Sequence, residues 1–198
     1  MPTASPRAFA AVNVAAKLLL IALLLYSVTN QDLVRFAGKA MTTRALTYPI
    51  AALIIPLGWL LLGRPRPYPH GADTLLVTPF LIDVAGNAAD LYNTVLRFDD
   101  VAHATTWMLL VLAVGMLLLR LRLLPWVTGA LCIGFGATSH ILWEIIEYLL
   151  MVSGSSGLQL TYGDTVGDLA LSLSGSIVAG AWIGWRARLR DGRVASAG

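Results

Sequence analysis

The sequence predicts an all-α, polytopic membrane protein: six transmembrane helices, both termini cytoplasmic, one domain over 1–198. Three observations predict it. The chain is 57% hydrophobic and 13% charged, about half the charged share of an ordinary soluble domain. Its mean hydropathy is +0.73. The apolar residues fall in long blocks, which no single soluble core of this size would absorb. The net charge of +3 does not point to nucleic acid. The basic residues lie in short clusters between apolar blocks, as loop anchors do, rather than along one face. Cys132 is the only cysteine, so no intrachain disulfide can form.

Six windows approach the roughly 20 apolar residues that a span requires: Ala8–Val28, Tyr48–Gly63, Asp73–Tyr92, Val101–Leu119, Trp126–Met151 and Asp164–Trp185. The first is read as a retained span rather than a cleaved signal, because Thr29-Asn30-Gln31-Asp32 follows it and not a small-residue cleavage site. Pro49 is placed in the first turn of the second helix; Pro56 and Pro79 lie inside spans and predict kinks. Within Gln31–Arg44, Leu33, Phe36, Ala40 and Met41 recur at helical spacing opposite Arg35 and Lys39, which predicts a short interfacial helix. Gly63–Pro67 and Ser153–Gly157 read as turns.

Orientation follows from lysine and arginine placement. Arg7, Arg64, Arg66, Arg120, Arg122, Arg186, Arg188, Arg190 and Arg193 share the side of the termini; Arg35, Lys39, Arg44 and Arg97 take the other; Lys17 lies inside the first span. Nine against four makes the termini cytoplasmic. The expected location is a cytoplasmic membrane.

Besides Asp73 at the start of span three, eight of the eleven acidic residues lie in or beside spans three to six: Asp83, Asp90, Asp99, Asp100, Glu144, Glu147, Asp164 and Asp168. A charge at mid-bilayer costs about 3 kcal/mol or more, so this density calls for a cause. Asp83, Asn87 and Asp90 share one helix face, as do His140, Glu144 and Glu147; Asp100 with His103 and Asp164 with Asp168 open the next helices. At ~1.5 Å per residue these groups reach similar depth. They predict one polar pocket on the extracytoplasmic side. Taken singly, Asp99, Asp100 and Asp164 are also read as helix N-terminal residues, and Trp107, Trp143, Tyr148 and Tyr162 as interface aromatics.

Carboxylates with His103 and His140 form a donor set for a divalent ion: Mg, Mn or Ca by the oxygens, Zn, Mn or Fe once the imidazoles join. The metal-ligand candidates are His103, His140, Asp164, Asp168, Glu144 and Asp100. Glu144, Glu147, Asp100 and Asp168 are the candidate acid–base groups, and Asp83, Asn87, Asp90 and Arg97 the candidate substrate-pocket residues. The first functional expectation is a metal-dependent enzyme on a lipid or lipid-linked substrate at the outer leaflet. A non-catalytic scaffold and an ion- or proton-coupled transporter are the alternatives. Acidic groups confined to one half of the bilayer count against the transporter.

The stretch Phe98-Asp99-Asp100-Val101-Ala102-His103 resembles the Asp-x-x-His entry of VanZ-like membrane proteins and of the related YjdF-like bacterial inner-membrane family. Trp143-Glu144-Ile145-Ile146-Glu147-Tyr148 resembles the Glu-x-x-Glu-aromatic segment of the YjdF type. Asp164-Thr165-Val166-Gly167-Asp168 with Gly175 resembles an element that both share. The resemblance spans Phe98 to Trp185 and implies Asp100, His103, Glu144, Glu147, Asp164 and Asp168 as signature positions. VanZ-like members are linked to low-level glycopeptide resistance. Glu147, where VanZ-like chains often carry glutamine, and Thr161-Tyr162-Gly163, where they tend to carry a basic residue, favour the YjdF-like side.

Overall fold

In the computed structural model, which describes residues 6–155 and 161–195, the described residues are helical with no strand. They form α1 (Pro6–Thr29), α2 (Met41–Leu61), α3 (His70–Ala88), the short α4 (Leu91–Thr94), α5 (Phe98–Leu118), α6 (Pro125–Val152) and α7 (Tyr162–Ala195). Five of these, α1, α2, α5, α6 and α7, are long and apolar enough to cross a membrane. The third, α3, has 19 residues, about 28 Å of rise, but carries Asp73, Asp83 and Asn87 along its length.

Short connections alternate the direction of successive long helices. The residues at Thr29, Met41, Ala88 and Phe98 therefore share one end of the bundle, called here the upper end. In the interior, α7 packs on α5 and α6, α3 packs on α1 and α5, and α2 leans on α1 and α3.

The helices are inside-out relative to a soluble bundle. On α6 the buried stripe is Thr128, Cys132, Gly136, His140 and Glu144, spaced by four. Its opposite face exposes Ile141, Leu142, Ile145, Ile146 and Leu149. Lipid solvates that apolar face, while polar groups must satisfy one another within the protein. On α7 the buried stripe is Asp168, Ser172, Ser176, Ala179, Ile183 and Ala187. Small residues let backbones approach along it. A Cβ at Gly175 would meet the backbone carbonyl of Ala104 on α5, and Gly180 and Gly184 face Gly129 on α6.

Several expectations change. The predicted interfacial helix over Gln31–Arg44 is a series of turns over 30–39, because Gly38 and Ala40 both adopt positive φ. The second helix begins at Met41, so Pro49 lies in its middle. The third ends at Ala88 rather than Tyr92, and Asp90 follows with φ 60°. The last helix runs on to Ala195, about 50 Å in all, beyond the thickness of a hydrocarbon core. Of the expected turn Ser153–Gly157, residues 156–157 lie outside the described residues.

Candidate functional site

Five long helices, α2, α3, α5, α6 and α7, and two connections line a cavity of about 430 Å³ in the upper half of the bundle, within the range of small-molecule sites. Its polar wall includes Lys39, Arg44, Tyr48, Asp83, Asn87, Tyr92, Asp99, His103, Glu147, Asp164 and Asp168. Its inner wall is apolar: Ile54, Leu76, Pro79, Phe80, Leu110 and Phe135.

Asp83 organises one side. Its Oδ2 accepts from Arg44 Nε at 2.8 Å and from the Tyr48 hydroxyl. Its Oδ1 accepts from Asn87 Nδ2 at 3.2 Å and from Tyr92 Oη at 3.4 Å. Arg44 Nη1 also donates to the Lys39 carbonyl. Arg44 sits in the first turn of α2, four residues from Tyr48, so both side chains leave one face toward α3. Burial holds the Tyr92 phenol well above its usual pKa, reinforced by Asp83, so it stays a donor. Burial lowers the Lys39 ammonium, with Asp90 opposing.

The opposite side centres on His103 of α5. Its Nε2 lies 3.5 Å from Asp99 Oδ1 and 3.8 Å from Asp168 Oδ1; its Nδ1 lies 3.4 Å from Ser172 Oγ. The ring stacks on Trp107 and meets His140 edge-on at 5.4 Å. Behind it, His140 Nε2 lies 3.0 Å from Glu144 Oε1. That approach is not aligned as a hydrogen bond. Among the described residues, both ring nitrogens of His140 and both carboxylate oxygens of Glu144 are buried and lack hydrogen-bond partners.

Two trios therefore have metal-ligand character: His103, His140 and Glu144, all deeply placed, and Asp99, His103 and Asp168 on the cavity side. Within each trio the ligand atoms lie within 4.8 Å of one another. A tetrahedral zinc site has ligand–ligand edges of about 3.3 Å, so modest side-chain rotation closes either set.

The candidate residues are thus distributed unevenly. Asp83, Asn87, His103, Glu147, Asp164 and Asp168 line the cavity, and His140 and Glu144 stand behind His103. Asp90, Arg97 and Asp100 are not among the lining residues. Asp90 and Arg97 both take positive φ in the connection between α3 and α5, where Asp90 bonds Asn93 and Arg97 is 3.8 Å from a half-exposed Asp100. Trp107, read as an interface aromatic, is 6% exposed and bonds Ser139 Oγ. Lys39, Arg44, Tyr48 and Tyr92 also line the cavity, and the sequence does not mark them as site residues. The signal for Arg44 was its i, i+4 spacing to Tyr48.

A second polar cluster lies toward the lower end. Asp73 is fully buried and accepts from Lys17 Nζ at 2.6 Å and Tyr68 Oη at 2.5 Å. It ties α1 to the start of α3.

Apolar outer faces, buried polar stripes and several membrane-length helices define a multi-pass helical membrane protein. Residues 12–190 match the family described as predicted membrane proteins (DUF2238), and the chain belongs to this YjdF-like family. No curated protein and no solved structure matches the chain.

Proposed function

We propose that the cavity holds a divalent metal ion and that the protein is a metal-dependent enzyme acting on a lipid or lipid-linked substrate. The observation that carries this reading is the His140–Glu144 pair. Four buried polar atoms without hydrogen bonds are costly in a low-dielectric interior. A cation shared with His103 would engage one ring nitrogen of His140 and the Glu144 carboxylate together. His103 belongs to both trios and lines the cavity, so an ion on either set borders the substrate space. Asp168 and Glu147, both on the cavity wall, are placed for proton transfer. The metal itself would polarise a carbonyl or phosphoryl oxygen or activate water.

The same reading makes α3 a sixth span. Its charges face the bundle rather than lipid: Asp73 is buried and paired with Lys17, Asp83 with Arg44. With six spans and nine basic residues on the side of the termini, both termini are cytoplasmic and the cavity opens to the extracytoplasmic side of a bacterial inner membrane.

The test is turnover. Purified protein is incubated in detergent with a total bacterial lipid extract, with and without added Mn²⁺, and the lipids are profiled by mass spectrometry. The reading expects one lipid class to be consumed only with metal, and not by Glu144→Gln. Identical lipid profiles with and without metal would count against an enzyme and favour a scaffold.

A further inference from the structure

We infer that the group bound in this cavity is a lipid phosphate, seated between the metal trio and the Lys39–Arg44 wall, with its hydrocarbon against the inner apolar wall. The inference deepens the metal reading and rests on it. Two features of the cavity point this way.

The first is the state of Arg44. Asp83 has both oxygens engaged, by Arg44, Tyr48, Asn87 and Tyr92. It is therefore saturated as an acceptor and acts as a positioning residue for the guanidinium. Arg44 uses Nε on Asp83 and Nη1 on the Lys39 carbonyl. Arg44 also hydrogen-bonds Tyr48 and lines the cavity. A guanidinium braced in this way, beside a lysine on the same wall, is suited to phosphate oxygens.

The second is the division of the cavity. Ile54, Leu76, Leu110 and Phe135 line its depth, while the cations and carboxylates line its upper part. That division matches an amphiphile with a charged head, not a free polar solute.

Charge then makes the two halves interdependent. Lys39 and Arg44 share the lining with Asp83, Asp99, Glu147, Asp164 and Asp168, so carboxyls crowd the side opposite the two cations. A dication held by the His103 trios would supply positive charge to a phosphate from that side.

The experiment measures binding of phosphatidic acid and diacylglycerol in detergent micelles by native mass spectrometry, with Mn²⁺-loaded and chelator-treated protein, and with inorganic phosphate as a third probe. Metal content is determined on the same samples. The proposal expects phosphatidic acid to bind about tenfold or more tightly than diacylglycerol to the Mn²⁺-loaded protein. Arg44→Gln should abolish that preference, and Lys39→Gln should reduce it several-fold, both with metal content unchanged. Because Arg44 is buried and its variant can fail to fold, the variant Lys39→Gln, in the connection before α2, decides the matter alone if necessary. Equal binding of the two lipids, or a preference unchanged in the variants, overturns the proposal. If inorganic phosphate alone displaces phosphatidic acid at equal concentration, the lipid part is wrong. A preference that survives in metal-free protein and still falls in Lys39→Gln keeps the seat and refutes the metal reading instead.

Discussion

Nε2 of His140 and Oε1 of Glu144 lie 3.0 Å apart across one turn of α6, both buried, without an aligned hydrogen bond. One turn of the same helix outward, Glu147 reaches the cavity wall. The helix thus turns a stripe of ionisable groups inward while Ile141, Ile145 and Leu149 face out. A membrane helix keeps such a stripe only where the bundle supplies partners, a proton or a cation.

If that partner is a metal, ligand loss and stability loss coincide. An ion that binds only the folded state at about 100 times its Kd adds about 2.7 kcal/mol. A chelator should therefore lower the melting temperature of the wild type by several degrees, and Glu144→Gln should melt at the chelated value and respond little further. Melting in detergent, followed by intrinsic fluorescence with and without chelator, checks this. A mutant that still responds to chelator at full amplitude would place any ion elsewhere.

The Arg44–Asp83 pair is nearly enclosed, with side-chain exposures of 10% and 15%. Removing one partner leaves a buried charge unpaired, which costs about 3–5 kcal/mol. Asp83→Ala should destabilise strongly, and the double change Arg44→Met with Asp83→Leu should recover most of the loss. Thermal melting of the three variants measures it. Equal stability of Asp83→Ala and wild type would mean that the pair contributes nothing.

Gly175 sets how closely α7 approaches α5, because a Cβ there would collide with the Ala104 carbonyl. Gly175→Ala should destabilise by about 1–3 kcal/mol through overpacking. Gly134→Ala, where nothing lies within 4 Å, should be neutral or stabilising by up to about 1 kcal/mol, since alanine is the better helix former. Melting of both variants against wild type tests the contrast, and equal effects would refute the close approach.

On the proposed six-span reading, the Ser153 end is extracytoplasmic. In a Cys132→Ser background, an impermeant thiol reagent should label Ser153→Cys in intact cells and Arg66→Cys only after lysis. Both positions are exposed. The reverse pattern inverts the topology, and labelling of both from outside removes α3 as a span.

The long apolar helices were legible from composition, because lipid demands apolar runs of known length. The elements around the cavity were less so. Reading Gln31–Arg44 as a surface helix placed Arg44 in an interface, whereas the chain turns at Gly38 and Ala40 and begins α2 early enough to carry Arg44 into the bundle. Depth counted at a constant helical rise fails beyond Ala88, where α3 stops. Asp90, Arg97 and Asp100 then depart from the line of Asp83 and Asn87. Lys17 looked isolated within α1; its partner Asp73 is 56 residues away, a pairing that no local pattern displays.

The central claim is the metal. The most direct measurement is element analysis of protein purified without chelator, alongside Glu144→Gln and His140→Ala. The account predicts about one equivalent of a divalent transition metal or Mg²⁺ per chain in the wild type, and a large loss in both variants. Metal-free wild type, with melting unchanged on adding Mn²⁺ or Zn²⁺, would contradict it.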